Sequence, residues 1–248
     1  MPIIGREILR YEQVSSTNDL VRQWGHDGAP EGLVVMAEEQ TAGRGRMGRQ
    51  WIAPKGSSLQ FSILLHPPLA PLEAYRLTSV TAIAIAATLR DELRLSPTLK
   101  WPNDVLLNEK KCAGILIETV VEGNMLALAI LGIGLNVNYA MRDYPDLTPF
   151  ATTLADELGH PIDRAALEGA LLSHLDDYYQ RLCAGEDFYA EWRAQLSTLG
   201  RRVRVATPDG IEDGIAEDVA RDGALLLRCD DRLVRFYAGD VTIVKRAD

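Results

Sequence analysis

Glu38-Glu-Gln-Thr-Ala-Gly-Arg-Gly-Arg-Met-Gly-Arg-Gln-Trp51 packs three glycines and three arginines between Gly43 and Arg49. From Thr41 to Lys55 there is no acid and there are four basic residues, in a chain with 35 acidic against 26 basic residues and a net charge of -9. Glycine lets a backbone approach a ligand closely, and arginine grips phosphate or carboxylate through paired N–H donors. A flexible cationic island in an acidic protein points to a loop that closes over an anion. A mobile surface loop with solvated charges is the plainer alternative. Two neighbours weigh against it: the apolar run Leu33 to Ala37 reads as a strand feeding the loop, and Trp51 ends it. Gly43-Arg-Gly-Arg-Met-Gly48 also matches the dinucleotide fingerprint G-x-G-x-x-G, which requires the glycines to open a helix. Pro54 and Gly56 forbid a long helix there, so a Rossmann reading is rejected.

At 248 residues, 47% of them hydrophobic, the chain fits one large domain, or one plus a small appendix, with a full core. No run of apolar residues is long enough to span a membrane, and the N-terminus lacks the pattern of a secretory signal. Cys112, Cys183 and Cys229 are odd in number and far apart, which suits a reducing cytoplasm rather than a disulfide frame or a C-x-x-C metal site. His26, His66, His160 and His174 never pair at ligand spacing, so no zinc or iron held by protein alone is expected. Net acidity argues against a dedicated nucleic-acid binder.

Outward from the loop, Ile8–Val14 reads as an opening strand, and Ser16 or Thr17 caps a helix through Leu20, Val21 and Trp24. A simple cap is the plainer reading of these hydroxyls; the functional one is that the free N–H groups at this helix start bind a polar ligand head. Ser58–Leu65 alternates like a strand and stops at His66-Pro-Pro. Leu72–Leu95 is a long helix, apolar on several faces. Lys100-Trp-Pro-Asn-Asp104 is a rigid corner whose Asn103 and Asp104 suit either an Asx turn or a site. Lys111–Glu118 and Met125–Gly134 read as strands, with glycines at 114, 132 and 134 that signal close approach of a ligand or another backbone. Helices follow at 151–158, 164–182 and 186–196. Residues 1–140 thus read as α+β: strands in hairpins with helices on one side. Residues 1–199 form the expected main domain, and composition shifts at Gly200. Short strands at 201–206, 214–219, 224–228, 233–237 and 241–244, joined by tight turns, make 200–248 a small antiparallel barrel, only marginally stable alone.

Four blocks in this order resemble the biotin–protein ligases: Ser15-Ser-Thr-Asn18; Gln40 through Trp51; Lys100-Trp-Pro-Asn-Asp104 with Lys111-Cys-Ala-Gly114; and Gly132-Ile-Gly-Leu-Asn136. The C-terminal strands fit that family's SH3-like domain, so the resemblance covers nearly the whole chain. It implies a class II synthetase-like fold, a mixed or antiparallel sheet packed by helices, followed by an SH3-like barrel. It implies that biotin and MgATP form biotinyl-5′-AMP and that biotin passes to one lysine of a biotin carboxyl carrier protein. Ser16, Thr17, Asn18, Gln40, Gly43, Arg44 and Gly45 fall on the biotin side, with Gly114, Gly132 and Gly134 lining the cavity. Arg49, Trp51, Asn103, Asp104 and Asn136 fall on the ATP side. Arg46 and Lys111 serve both, and with Asp104 make up the catalytic set. Mg²⁺ comes with ATP and Asp104 is a contact for it or for the acceptor lysine. Met47 replaces an arginine of some relatives, and Cys112 a usual leucine. Only 14 residues precede Ser15, so no helix-turn-helix, and no DNA as partner, is expected. No membrane partner is expected, and a homodimer stays open. A lipoate–protein ligase and a non-catalytic biotin-binding protein are the competing readings.

Overall fold

The alternation of Ser58–Leu65 sets the middle of the molecule. In the computed structural model, which describes residues 1–244, this stretch is β3 and all eight of its residues are buried. β3 pairs antiparallel with β2 (Val34–Ala37) on one side and β7 (Met125–Asn136) on the other. Beyond these lie β1 (Ile8–Tyr11), β6 (Lys110–Glu122), β5 (Asp104–Leu107) and β4 (Thr98–Lys100), in the order β1-β2-β3-β7-β6-β5-β4. β1 and β2 are parallel and the other neighbours antiparallel, a mixed sheet in an α+β fold as expected.

The sequence suggested helices on one side; the sheet is covered on both. Leu59, Phe61 and Ile63 of β3 face α2 (Tyr75–Leu93) and α4 (Arg164–Cys183) in the main core, together with Leu131, Ile133 and Leu135 of β7. Val35, Leu64 and Ile130 point the other way, into a small second core under Val21 of α1 (Thr17–His26). The reason is in β3 itself. Its pattern alternates only as far as Ser62; Ile63-Leu-Leu65 is apolar on both faces, and both must leave water.

Several boundaries also shift. Pro71–Glu73 forms a 3₁₀ turn, and α2 starts at Tyr75 and ends where Arg94 turns left-handed, with φ 57°. β6 runs on to Glu122 through β-branched Thr119-Val-Val, well past Gly114, where its pairing with β5 stops. Thr98–Lys100 is a strand that the sequence did not suggest, and the helix expected at 151–158 is α3 (Leu154–Leu158), capped by Thr153, whose hydroxyl accepts from the Asp156 N–H. The third helix is α5 (Tyr189–Gln195).

The C-terminal strands are β8 (Arg202–Thr207), β9 (Gly210–Val219), β10 (Leu225–Cys229), β11 (Arg232–Phe236) and β12 (Asp240–Ile243), antiparallel in the order β11-β10-β9-β8-β12. This SH3-like unit leans on the rest: Val203, Val205, Leu225 and Leu227 belong to the same apolar cluster as α2 and α4. Polar contacts fix its orientation. The Trp101 indole N–H donates to the Gly223 carbonyl at 2.9 Å, the Tyr189 hydroxyl to the Val219 carbonyl at 2.6 Å, and the Tyr75 hydroxyl to the Arg221 carbonyl. No helix among the described residues is long and apolar enough to cross a membrane.

Candidate active site

Register builds the floor of the site. On the α1 face of the sheet, Ser62 pairs with Gly132 and Gly132 with Leu116; Gln60 pairs with Gly134 and Gly134 with Gly114. The three glycines are needed for close approach, as the sequence suggested, but the approaching groups are the protein's own side chains. A Cβ at Gly134 would overlap the Trp51 indole, one at Gly132 the Asn18 amide, and one at Gly114 would come within 2.8 Å of the Lys111 Nζ.

At one end of this floor stands the start of α1. Ser16 occupies the cap position, yet its own side chain does not cap this helix. Gln40 does the work instead: its Oε1 accepts from the Thr17 N–H at 2.8 Å and the Thr17 hydroxyl at 3.1 Å. The plain capping role read from sequence is therefore not what these hydroxyls do. Ser62 Oγ lies 2.7 Å from Thr17 Oγ1 and 2.6 Å from Asn18 Oδ1, while the buried Asn18 Nδ2 has no partner. An unpaired buried amide donor is costly, and a ligand acceptor would relieve it.

Over the floor folds the flap, Gly43 to Trp51, as a short hairpin. The Gly45 N–H donates to the Arg49 carbonyl at 2.7 Å and the Trp51 N–H to the Gly43 carbonyl at 3.0 Å. Its three arginines take three directions. Arg44 forms a bidentate pair with Asp19, both contacts 2.6 Å. Arg49 reaches Asp240 of the C-terminal unit. Arg46 points inward, where its Nη1 donates to Asn103 Oδ1 at 3.0 Å, and Asn103 in turn donates to the Ile115 carbonyl at 2.8 Å. Burial pushes the Arg46 pKa down, against the pull of Asp104 and Asp240. A guanidinium still charged but partly withdrawn from water is a strong anion receptor. Beside it, Lys111 Nζ sits 2.6 Å from Asp104 Oδ1, with Lys100 4.0 Å from the other oxygen. Burial drives the neighbouring Cys112 thiol upward, so it offers no thiolate nucleophile.

Two cavities meet at this point. A chamber of about 490 Å³ runs from Ser16, Thr17, Asn18 and Gln40 to Arg46 and Lys111. A charged cleft of about 550 Å³ lies between the flap, Lys100–Asp104 and Gly239–Val241. Gly45, Arg46, Trp51, Asn103 and Lys111 line both. A molecule with a neutral polar head and an acid tail would place the tail where the cleft delivers a polyanion.

Comparison with known proteins agrees. Residues 11–136 match the model of the Biotin/lipoate A/B protein ligase family, and residues 198–244 that of the Biotin protein ligase C terminal domain. The chain is 32% identical to the bifunctional ligase/repressor BirA of Bacillus subtilis, over 97% of this chain and 75% of that protein. It is 36% identical to the biotin--[acetyl-CoA-carboxylase] ligase of Mycobacterium tuberculosis, over 92% and 86%. The chain belongs to the biotin/lipoate protein ligase family. The structure of the Aquifex aeolicus biotin protein ligase, determined with biotin and ATP, superposes with a TM-score of 0.82 at 26% identity, covering 97% of this chain and all of that one.

Within this ligase-family chain most of the expected site residues converge. Ser16, Thr17, Asn18, Gln40, Arg44, Gly45, Gly114, Gly132 and Gly134 line the chamber, and Arg49 and Asp104 the cleft. Gly43 and Asn136 line neither: Gly43 packs on the Trp51 backbone, and the Asn136 amide donates to the Thr152 carbonyl at 3.0 Å. Sequence reading missed Gln60, which accepts from Gln40 at 3.1 Å, and Ser62. Their signal was a polar stripe, Ser58, Gln60 and Ser62, on a strand too central to be wet. Phe150, 71% exposed, lines neither cavity, though its carbonyl takes the Lys111 N–H at 2.9 Å.

Proposed function

We propose that the protein is a biotin–protein ligase: it joins biotin to MgATP as biotinyl-5′-AMP, releasing pyrophosphate, and passes the biotinyl group to a lysine of a biotin carboxyl carrier protein. The observation that carries this reading is the placing of Arg46 and Lys111 where the polar-headed chamber opens into the charged cleft. Biotin's ureido carbonyl would take the free Asn18 amide donor. Its carboxylate would then lie beside Lys111 and Arg46, facing the α-phosphate. One carboxylate oxygen attacks that phosphorus and pyrophosphate leaves; the two cations offset the repulsion between the anions. Mg²⁺ travels with the triphosphate and supplies further charge neutralisation. Asp104 and Asp240 face the cleft, each already paired with a base, so phosphate oxygens would be the metal's main ligands. In the second half-reaction the lysine amine attacks the acyl carbon and AMP departs; Asp104, which lines the cleft, would take up the amine's proton. The flap keeps water from the mixed anhydride in between.

The relatives named for biotin support this over a lipoate ligase, and so does the polar end of the chamber, since a dithiolane ring offers no partner for Asn18 and Gln40. The free thiols of Cys112, Cys183 and Cys229 support a cytoplasmic setting. For a homodimer, the side of β6 beyond Gly114, where it outruns β5, offers a strand edge. Incubation with ATP, Mg²⁺, biotin and a carrier domain should add one biotinyl group to the carrier, read by mass spectrometry. No mass gain, or gain with lipoate instead, overturns the reading.

A further inference from the structure

Arg44 is the flap arginine whose partners have no part in the chemistry described above. Its Nη1 and Nη2 take both oxygens of Asp19 at 2.6 Å, and Nη2 also reaches Glu118 Oε1 at 3.3 Å. The second Glu118 oxygen accepts from Arg22 at 2.6 Å. Charges therefore alternate along Asp19, Arg44, Glu118 and Arg22. The two acids come from different elements beside the chamber. Asp19 is in the first turn of α1, next to Asn18; Glu118 is on β6, the strand that carries Lys111 and Gly114. One guanidinium thus joins α1 and β6 to the base of the flap.

We propose that Asp19 and Glu118 are positioning residues for biotinyl transfer: through Arg44 they hold the flap down while the activated intermediate waits. This rests on the ligase reading for its ligand, but the tether is made of the protein's own side chains. An isolated exposed ion pair contributes little. This one is bidentate and shared, and it holds the base of the flap to two elements, so a small free energy acts directly on opening. It also divides the work of the loop: Arg44 and Arg49 fasten it at its two sides, leaving Arg46 to meet the anion.

The test uses the full-length chain with Asp19→Asn, Glu118→Gln, the double variant, and Asp19→Glu as the conservative rescue. Hydrogen exchange at the Gly45 and Trp51 amides, whose bonds define the flap, reports opening without ligand. Release of preformed biotinyl-5′-AMP reports retention. Each neutral variant should exchange faster at both amides and release the adenylate about three- to tenfold faster, with its rate of adenylate formation changed less than about twofold and its melting temperature kept. Asp19→Glu should recover part of the loss. Salt should speed release from the wild type and have little effect on the double variant. Exchange and release like wild type in both single variants overturn the proposal. Faster exchange with unchanged release leaves a tether but overturns the positioning role. If the wild type forms no adenylate, the ligase reading fails, and the exchange data still decide the tether.

Discussion

A methyl group at Gly134 has nowhere to go, because the Trp51 indole lies on that Cα. Gly134→Ala should therefore shift Trp51 and distort the junction of chamber and cleft. Overpacking of this kind costs about 1–3 kcal/mol; we expect a lowered melting temperature and biotin affinity reduced about tenfold or more, by calorimetry. Lys111→Ala acts differently. It leaves Asp104 without its 2.6 Å partner but removes only a half-exposed side chain, so the fold should stand while adenylate formation drops about a hundredfold or more. Pyrophosphate–ATP exchange dependent on biotin checks this; unchanged exchange would sink the role given to Lys111. At this scale the sequence was informative wherever a residue type was out of place. Glycines in an apolar strand, and a lysine and an aspartate around a Trp-Pro corner, were visible. The partners were not: nothing local says that Gln40, rather than Ser16, satisfies the Thr17 N–H.

Among the elements, the flap has the clearest response to pH. The hydrogen bonds from Arg44 hold the Asp19 carboxyl below the ordinary carboxylate range. A carboxyl depressed on folding stabilises the closed form above its ordinary value and loses that effect as pH falls through its folded value. The groups around it are Glu118, Arg22 and Arg44, and both arginines keep their charge throughout. Adenylate release should thus be flat from about pH 9 to about pH 5 and accelerate only below about pH 4. A step near neutrality would mean that another group governs opening. Element types were mostly legible from period and punctuation, ends less so. The helix read from Leu72 begins only at Tyr75, behind a 3₁₀ turn at Pro71–Glu73, and β6 outlasts its apolar run because Thr119-Val-Val favours extended backbone. The second face of the sheet escaped notice because its cover rests on few residues, with Val21 the buried apolar side chain of α1.

For the whole molecule, the question is how the C-terminal unit stays in register with the site. Gly223 has φ +82°, and a Cβ there would come within 2.5 Å of the Tyr75 ring, beside the Trp101 bond to its carbonyl. Gly223→Ala should weaken this docking by about 1–3 kcal/mol and raise protease sensitivity near Gly200. Adenylate formation should fall as well, because Asp240 would no longer meet Arg49. Intact activity with undocked strands would show that the unit is a passenger. Its strands could be read from their turns, and its small size called for support from the main domain; the docking contacts could not be read, since Trp101 and Gly223 lie 122 positions apart and neither carries a local mark of the other.

The glycine floor has a practical corollary for anyone wishing to feed this enzyme a bulkier vitamin analogue. No amino acid is smaller than those at 114, 132 and 134, so the room cannot be deepened from below. Extra space must come from the ceiling and the end wall, by trimming Trp51 or Asn18, and each trim also removes a side chain that shapes the chamber.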